Sequence, residues 1–183
     1  MKPQEYINEV KLVLDQLPIP ALETVIDILH AARLTQNRVF IMGNGGSAST
    51  ASHFACDLGK NTRRPDLFPF KVICLSDNVA LFTALANDEG YDQVFVQQLQ
   101  SLLQPGDVVI AISTSGNSSN VLQAVAFARA NQAVTVGFTG FDGGKLAGMV
   151  DHQIHVPSNS IEQVEDVHLM LEHLICLNLR LRA

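Results

Sequence analysis

The stretch Asp107–Val121 reads DVVIAISTSGNSSNV and joins an apolar run to a polar loop. Its first part, Val108–Ile112, is almost entirely Val, Ile and Ala, which is typical of a strand buried on both faces of a parallel sheet. The loop after it carries five hydroxyl side chains, two asparagines and a glycine. A loop that only had to turn could use a single glycine, so we expect this loop to hold a ligand rich in oxygen atoms.

Four more apolar runs have the same character: Val39–Met42, Lys71–Leu75, Val134–Phe138 and Gln153–Val156. Patterns with helical spacing separate the runs. They cover Ala48–Gly59, Val79–Leu85, Asp92–Leu103 and Asn120–Ala130, with a short turn at Gly144–Gly148. Alternating strands and helices predict an α/β fold with a doubly wound, five-stranded parallel sheet flanked by helices.

Helical patterns also precede and follow the sheet. Residues 4–34 carry apolar positions at helical spacing, and Pro18 and Pro20 are expected to divide them into two helices. Residues Ile161–Leu181 predict one long C-terminal helix. Because no internal repeat or linker interrupts the chain, we expect residues 1–183 to form one domain. Its N-terminal helical region is 1–34, and 35–183 hold the α/β core with the C-terminal helix.

Composition excludes several classes of protein. No apolar run among the 183 residues approaches the roughly 18 that a membrane helix needs, and the polar N-terminus does not resemble a signal peptide. The three cysteines, Cys56, Cys74 and Cys176, form no CxxC pair and predict reduced thiols. We therefore expect a cytoplasmic protein with no membrane contact. Because the net charge is −6, we do not expect a surface that binds nucleic acid.

Two strand ends lead into loops of small and hydroxyl residues. The first is Gly43–Ser49 and the second is Ser113–Ser119. Ligands of open α/β sheets bind beyond the carboxyl ends of strands, and backbone N–H groups at a helix start favour an anion. Ordinary N-capping by Ser and Asn is the alternative for each loop taken alone. Neither loop matches the phosphate-binding pattern GxxxxGK[ST] or the dinucleotide pattern GxGxxG, so no nucleotide cofactor is expected.

Five segments together resemble the sugar isomerase (SIS) domain, and within it the phosphoheptose isomerases. They are GNGGSASTASHFACDL (43–58), DNVALFTALANDEGY (77–91), GDVVIAISTSGNSSNV (106–121), TGFDGGKLA (139–147) and VEDVHLMLEH (164–173). The motif STSGNS alone is typical of the whole SIS superfamily, and its combination with HFAxxL and the last segment is more specific. The resemblance implies the SIS fold and isomerisation of sedoheptulose 7-phosphate to D-glycero-D-manno-heptose 7-phosphate.

The resemblance also implies where the sugar phosphate binds. The positions that match the family's substrate contacts are Asn44, Gly45, Ser47, Asp88, Ser113, Thr114, Ser115, Ser118 and Glu165. Among them, the hydroxyls of the 113–118 loop are expected to hold the phosphate.

Catalysis and metal binding are implied at overlapping positions. Asp57 matches the family's general base and His173 its partner. Several family members bind zinc, and the matching ligands here are His53, Asp57, Glu165 and His173. The resemblance therefore implies zinc or another divalent metal as the cofactor.

The residues themselves leave alternatives open. His53 and Asp57 are four apart on a predicted helix and face one side, which suits two ligands of one metal or a surface pair. Glu165 and His173 lie eight apart, roughly 12 Å along a helix, and share a face only loosely. Residues Glu165, His168 and Glu172 can equally form a solvated helix face. The resemblance selects His173 as catalytic and leaves His168 a supporting residue.

Two positions depart from the family pattern. Asp57 stands where the family has glutamate, so its carboxylate lies about one methylene nearer the backbone, and displacements on the order of 1 Å can cost activity. Glu165 stands where the family has glutamine and adds a negative charge, which would tighten a bound cation. We interpret both as indicating a metal-dependent site with an altered sugar preference.

The resemblance also predicts how the chain assembles. Family members form homotetramers with active sites at subunit interfaces. The apolar faces of the N-terminal helices (Val10, Leu14, Ile28, Leu29) and of the C-terminal helix (Leu169, Leu174, Leu177) suit either subunit packing or burial within one chain.

One alternative function is a non-catalytic SIS protein that associates with a replication initiator, and Asp57 argues against it. The other is the sugar-phosphate-sensing module of a regulator.

Overall fold

Five parallel strands form the centre of the computed structural model, which describes residues 2–182. The strands are β1 (Arg38–Gly43), β2 (Lys71–Cys74), β3 (Val108–Ser113), β4 (Val134–Thr139) and β5 (His152–His155). Their order in the sheet is β2-β1-β3-β4-β5. The predicted five-stranded parallel sheet is therefore confirmed, with strand ends shifted by at most one residue.

The helices follow the predicted order. They are α1 (Pro3–Leu14), α2 (Ile19–Thr35), α3 (Gly46–Lys60), α4 (Val79–Asp88), α5 (Val96–Leu102), α6 (Ser119–Ala130), α7 (Gly144–Ala147) and α8 (Ile161–Leu181), with a 3-10 turn at Tyr91–Gln93. The pattern predicted over Asp92–Leu103 is thus divided between the 3-10 turn and α5. Pro20 lies inside the first turn of α2, where proline costs no hydrogen bond.

Each central strand sends alternate side chains to opposite faces of the sheet. Val39 and Ile41 of β1 pack in one core with α2, α3 and α8, whereas Phe40 and Met42 pack in a second core with α5 and α6. The fold therefore has three layers, helices over sheet over helices. This explains the nearly continuous apolar runs, because neither face of the sheet is open to solvent.

The first core also uses part of the helix face considered above for subunit packing. Leu29 is completely buried within the chain, and Val10, Leu14 and Ile28 pack partly against the same core. Leu29 is therefore not available to another subunit. Leu177 of α8, by contrast, is 44% exposed.

Helix α4 differs from the other long helices because it has no buried residue. Its apolar side chains Val79 and Leu81 are 68% and 41% exposed. None of the helices described between residues 2 and 182 is long and apolar enough to span a bilayer.

Candidate active site

The strand order places the two small-residue loops side by side. The order reverses between β1 and β3, and ligands of such sheets bind in the crevice beyond the strand ends at this point. The loop after β1 leads into α3, and the loop after β3 leads into α6. Asn44 joins them, because its side chain exchanges amide hydrogen bonds of 2.9 and 3.1 Å with Asn120 at the start of α6.

The first loop combines exposed backbone with one buried hydroxyl. Gly45 has a φ of 57° and is exposed, and Ser47 is buried in the first turn of α3. Asn44 also accepts a 2.8 Å hydrogen bond from the hydroxyl of Tyr91, which holds the segment after α4 against this loop.

The second loop contains hydroxyl groups without strong internal partners. Thr114 is buried, and its Oγ1 has no hydrogen-bond partner. Ser113 Oγ lies 3.3 Å from Ser118 Oγ, while Ser115 is exposed. Buried polar groups in proteins are normally paired, so the free hydroxyl of Thr114 favours a ligand that completes its hydrogen bonding.

The N-capping alternative receives little support from either loop. The residues before α3 and α6 are Gly45 and Ser118, and neither helix has a side-chain cap hydrogen bond. Val121 N–H of α6 donates to Asn120 Oδ1 at 2.9 Å, and Ala48 N–H of α3 donates to the Gly45 carbonyl at 3.0 Å. The N–H groups of the first two residues of each helix are therefore the ones open to an anion.

A second cluster of functional side chains lies between α3 and α8. His53, Asp57, Glu172 and His173 each place one donor atom within 4.8 Å of the others. The two imidazole Nε2 atoms are 3.3 Å apart. His53 Nε2 lies 3.8 Å from Asp57 Oδ1 and 3.7 Å from Glu172 Oε1, and His173 Nε2 lies 3.3 Å from the same Glu172 oxygen.

Burial divides this cluster into an inner and an outer half. Glu172 is completely buried and Asp57 nearly so, whereas the side chains of His53 and His173 are 45% and 49% exposed. Asp57 Oδ1 accepts a 2.7 Å hydrogen bond from Asn61. The carboxylates thus form the floor of the cluster and the imidazoles its rim.

The electrostatics of Glu172 are unusual. Burial, and to a smaller degree the nearby charge of Asp57, raises the pKa of Glu172 to about 8. Its Oε1 has no hydrogen-bond partner, and its Oε2 is approached only by the Cys176 thiol at 3.9 Å among the residues described. The alternative of a solvated helix face is therefore excluded for His168 and Glu172, because both side chains are buried.

Sequence reasoning did not include Glu172 in the cluster. The sequence signal that could have pointed to Glu172 is its position. Glu172 follows His168 by four residues and therefore lies one helical turn further along the same side of α8. The environment of Glu172 depends on a tertiary contact between α8 and α3, which no local sequence pattern indicates.

Other predicted site residues lie outside the cluster. The Glu165 carboxylate packs on the backbone at Gly46, so closely that a Cβ there would meet its Oε2 at 2.2 Å. Burial, together with the charges of Glu162 and Asp166, raises the pKa of Glu165. Asp88 is exposed at the end of α4 and accepts a hydrogen bond from Asn87.

His168 has a structural environment. Its Nε2 lies 3.3 Å from the carbonyl oxygen of Thr139 at the end of β4, and its ring packs edge-on against Phe138. Burial lowers the pKa of His168 to about 4, so the ring is neutral at physiological pH.

The α3–α8 cluster fits a divalent cation. Two imidazoles and two carboxylates are ligands that zinc accepts. A tetrahedral site with bonds of about 2.0–2.2 Å has ligand atoms about 3.4 Å apart, close to the separations of 3.3, 3.7 and 3.8 Å observed here. The unpartnered, buried Glu172 Oε1 is an atom that such a cation would satisfy.

An open cleft of about 560 Å³ leads along α3 to the cluster. Its lining includes Ala48 and Ser49 near the start of α3, His53 little more than one turn later, and Ser76 and Asp77 after β2. A smaller cleft beside Asp57 and His173 is lined by Asn61, Cys176, Leu177 and Arg180. One elongated, polar molecule could therefore contact the helix start and the cluster together.

Comparison with known proteins gives this arrangement a family. Residues 5–140 match the model of the SIS domain. A probable phosphoheptose isomerase of Thermoplasma acidophilum is 36% identical over 176 residues, 96% of each chain. The phosphoheptose isomerase of Shewanella halifaxensis is 42% identical over 149 residues, 80% of this chain and 75% of that one.

A solved structure agrees over the full length. The structure of a phosphoheptose isomerase from Francisella tularensis superposes with a TM-score of 0.88 and 29% identity, and the match covers 100% of both chains. The chain therefore belongs to the phosphoheptose isomerases of the SIS-domain family.

Proposed function

We propose that this protein isomerises sedoheptulose 7-phosphate to D-glycero-D-manno-heptose 7-phosphate through an enediol. Membership in the phosphoheptose isomerases supports the substrate class and the aldose–ketose reaction. The observation that carries the proposal is the convergence of His53, Asp57 and His173, which are distant in sequence, between α3 and α8. A protein that only bound sugar phosphate would have no use for this group of acids and bases.

The hydroxyl-rich loop holds the phosphate in this proposal. Thr114 offers an unpaired hydroxyl, Ser113 and Ser118 lie beside each other, and the first turn of α6 adds backbone N–H groups. Charge-assisted hydrogen bonds of this kind are stronger than those between neutral groups. We assign Asn44 and Ser47 of the neighbouring loop to the sugar hydroxyls, and Asp88 to the substrate by the resemblance alone.

Proton transfer is assigned to Asp57 and His173. One takes the proton from carbon 1 of the open-chain ketose, the electron pair forms the enediol, and the other delivers a proton to carbon 2. The hydroxyl proton moves to the former carbonyl oxygen, which balances the reaction. General acid–base groups of this kind contribute roughly 10²–10⁴-fold each.

A divalent cation, with zinc the leading candidate, completes the site in this proposal. When bound, it supplies Lewis-acid polarisation of the substrate carbonyl. His53, Asp57 and His173 would hold it. Because a carboxylate has two oxygens, Asp57 can bind through one and take a proton through the other. His173 would hold the cation through Nε2, the nitrogen that lies in the cluster, and would carry its proton on Nδ1.

We also propose a homotetramer acting in the cytoplasm. Exposed apolar side chains on α4, notably Val79 and Leu81, support association because large apolar surfaces are rarely left open. The free thiols of Cys56, Cys74 and Cys176 support a reducing compartment.

The direct test is NMR of the reaction of sedoheptulose 7-phosphate in D₂O. We expect the aldose phosphate to form with deuterium at carbon 2, because His173 is half exposed and exchanges its proton with solvent. Absence of product contradicts the proposed activity. Product without deuterium contradicts proton transfer through a solvent-exposed group.

A further inference from the structure

Glu172 and Glu165 occupy different places, although both lie on α8. Glu172 lies in the floor of the cluster, completely buried, within 3.3 Å of His173 Nε2. Glu165 lies about two turns earlier in the helix, and its carboxylate rests on Gly46 at the start of α3. Only Glu172 shares the group of donor atoms with His53, Asp57 and His173.

The environment of Glu172 is costly without a positive partner. A buried, ionised carboxylate loses its hydration and needs hydrogen bonds or an opposite charge to compensate. Across residues 2–182, no lysine or arginine forms an ion pair with it, and its charged contacts are the two imidazoles. The nearby Asp57 adds a second negative charge, which raises the cost further.

A divalent cation would remove both difficulties. It would satisfy the unpartnered Glu172 Oε1 and balance the charges of two carboxylates at once. The distances from Glu172 Oε1 to the imidazole Nε2 atoms, 3.3 and 3.7 Å, are close to the edges of a tetrahedron of ligands around zinc. Glu165 offers no such geometry, because it is absent from this group.

We infer that Glu172, and not Glu165, is the fourth ligand of a divalent-cation site completed by His53, Asp57 and His173. This inference rests on the proposed function only in placing the cation in the active site. Glu165 then remains outside the coordination shell, beside the loop after β1, where it can meet the substrate. The cation site of this chain thus has two carboxylates and two imidazoles, with no net charge once a dication binds.

The test is metal binding by the full-length, metal-free protein, with Zn²⁺ alone titrated against a chromophoric chelator. Wild type is expected to bind one Zn²⁺ per chain. Glu172→Gln, which keeps the side-chain shape, is expected to weaken binding by at least the roughly 10- to 100-fold that loss of a supporting group costs. Glu165→Ala, which removes the donor group at that position, is the control on the same helix, and we expect its affinity for Zn²⁺ to equal that of wild type.

Cobalt supplies a second readout that does not depend on turnover. Tetrahedral Co²⁺ absorbs strongly in the visible range, so wild type and Glu165→Ala should show the same band and Glu172→Gln an altered one. Thermal melting without metal checks the fold. Glu172→Gln should melt no lower than wild type, because it removes a buried carboxylate.

Three outcomes overturn the inference: no Zn²⁺ binding by wild type, unchanged binding by Glu172→Gln, or a loss in Glu165→Ala as large as in Glu172→Gln. These results are separable from the proposed function. A preparation that binds Zn²⁺ as expected but does not convert sedoheptulose 7-phosphate contradicts the activity and leaves the ligand assignment intact.

Discussion

At the scale of single residues, Asp57 and His173 have different surroundings suited to different tasks. Asp57 lies near the floor of the cluster and accepts a hydrogen bond from Asn61, which fixes one of its oxygens. His173 is half exposed and can exchange protons with solvent. A fixed base and an accessible partner are what transfer between adjacent carbons requires.

Replacing either proton-transfer group should remove turnover and keep binding. We expect Asp57→Asn and His173→Gln to lower kcat by roughly 10²–10⁴-fold, since each removes one acid–base group. Binding of the sugar phosphate, followed by calorimetry, should persist because the 113–118 loop is unchanged. Asp15→Asn, at an exposed position after α1, is the control and should behave as wild type. Near-normal activity in either variant contradicts the assigned roles.

The buried Glu172 gives the metal-free protein a distinct dependence of stability on pH. Its folded pKa is raised from 4.5 to about 8, so between these values the folded state keeps a proton that the unfolded state loses. The free energy of unfolding therefore falls as pH rises across this window. We expect the fall to be on the order of a few kcal/mol in wild type and much smaller in Glu172→Gln.

Thermal melting in chelator, from about pH 5 to pH 8, measures this difference. His168 acts in the opposite sense, because its pKa is lowered from 6.5 to about 4 and its stabilisation is lost as pH falls. That contribution is present in both proteins and cancels in the comparison. Parallel stability curves for wild type and Glu172→Gln would show that Glu172 is not a buried ionisable group.

At the scale of elements, the loop after β3 depends on the absence of a side chain at Gly116. Its φ is 63°, and a Cβ there would approach the backbone oxygen of Gly143 to 2.0 Å. The loop before α7 therefore packs directly against the loop that we assign to the phosphate. Leu146 N–H also donates to the Gly116 carbonyl at 2.9 Å, which fixes the two segments together.

Gly116→Ala should therefore displace the phosphate loop. We expect the KM for the sugar phosphate to rise about tenfold or more, because a shift on the order of 1 Å disrupts oriented contacts. Gly148→Ala, after α7, is the control: its φ is −86°, and a Cβ there meets nothing closer than the Lys145 carbonyl oxygen at 3.9 Å. It should leave the KM close to that of wild type, because neither the backbone nor a neighbouring atom opposes the added methyl group. Equal effects on KM contradict the assignment of the loop to the phosphate.

The helices and strands could be predicted well from the sequence, whereas the contacts between them could not. Apolar runs such as Val108–Ile112 predict buried parallel strands because both faces of the sheet are covered. Pairing of α3 with α8 depends on long-range packing that no local pattern encodes. His53 and Asp57 were predicted together because they share one helix, whereas Glu172 is defined by a contact between helices and was missed.

At the scale of the whole molecule, α4 is an unusual surface. It is an apolar helix with no buried residue, whereas every other helix longer than four residues in the described chain buries at least one side chain. Val79 is its first residue and is 68% exposed. Such a helix is expected to be covered when copies of the chain associate.

Light scattering with size exclusion tests the assembly. Wild type should have four times the 19.9 kDa mass of one chain. Val79→Asp should reduce this mass, because it places a charge in the contact. A negative charge at the first position of a helix favours the helix itself, so the fold of α4 should be kept. A monomeric wild type, or an unaffected variant, contradicts the proposed role of α4.

The most direct measurement is turnover of sedoheptulose 7-phosphate by zinc-loaded and chelated wild type, followed by NMR. We predict that the zinc-loaded enzyme forms D-glycero-D-manno-heptose 7-phosphate, that chelation slows it, and that added zinc restores it. Clear binding of the sugar phosphate by the zinc-loaded protein, with no conversion, would contradict the assignment of this site to phosphoheptose isomerisation.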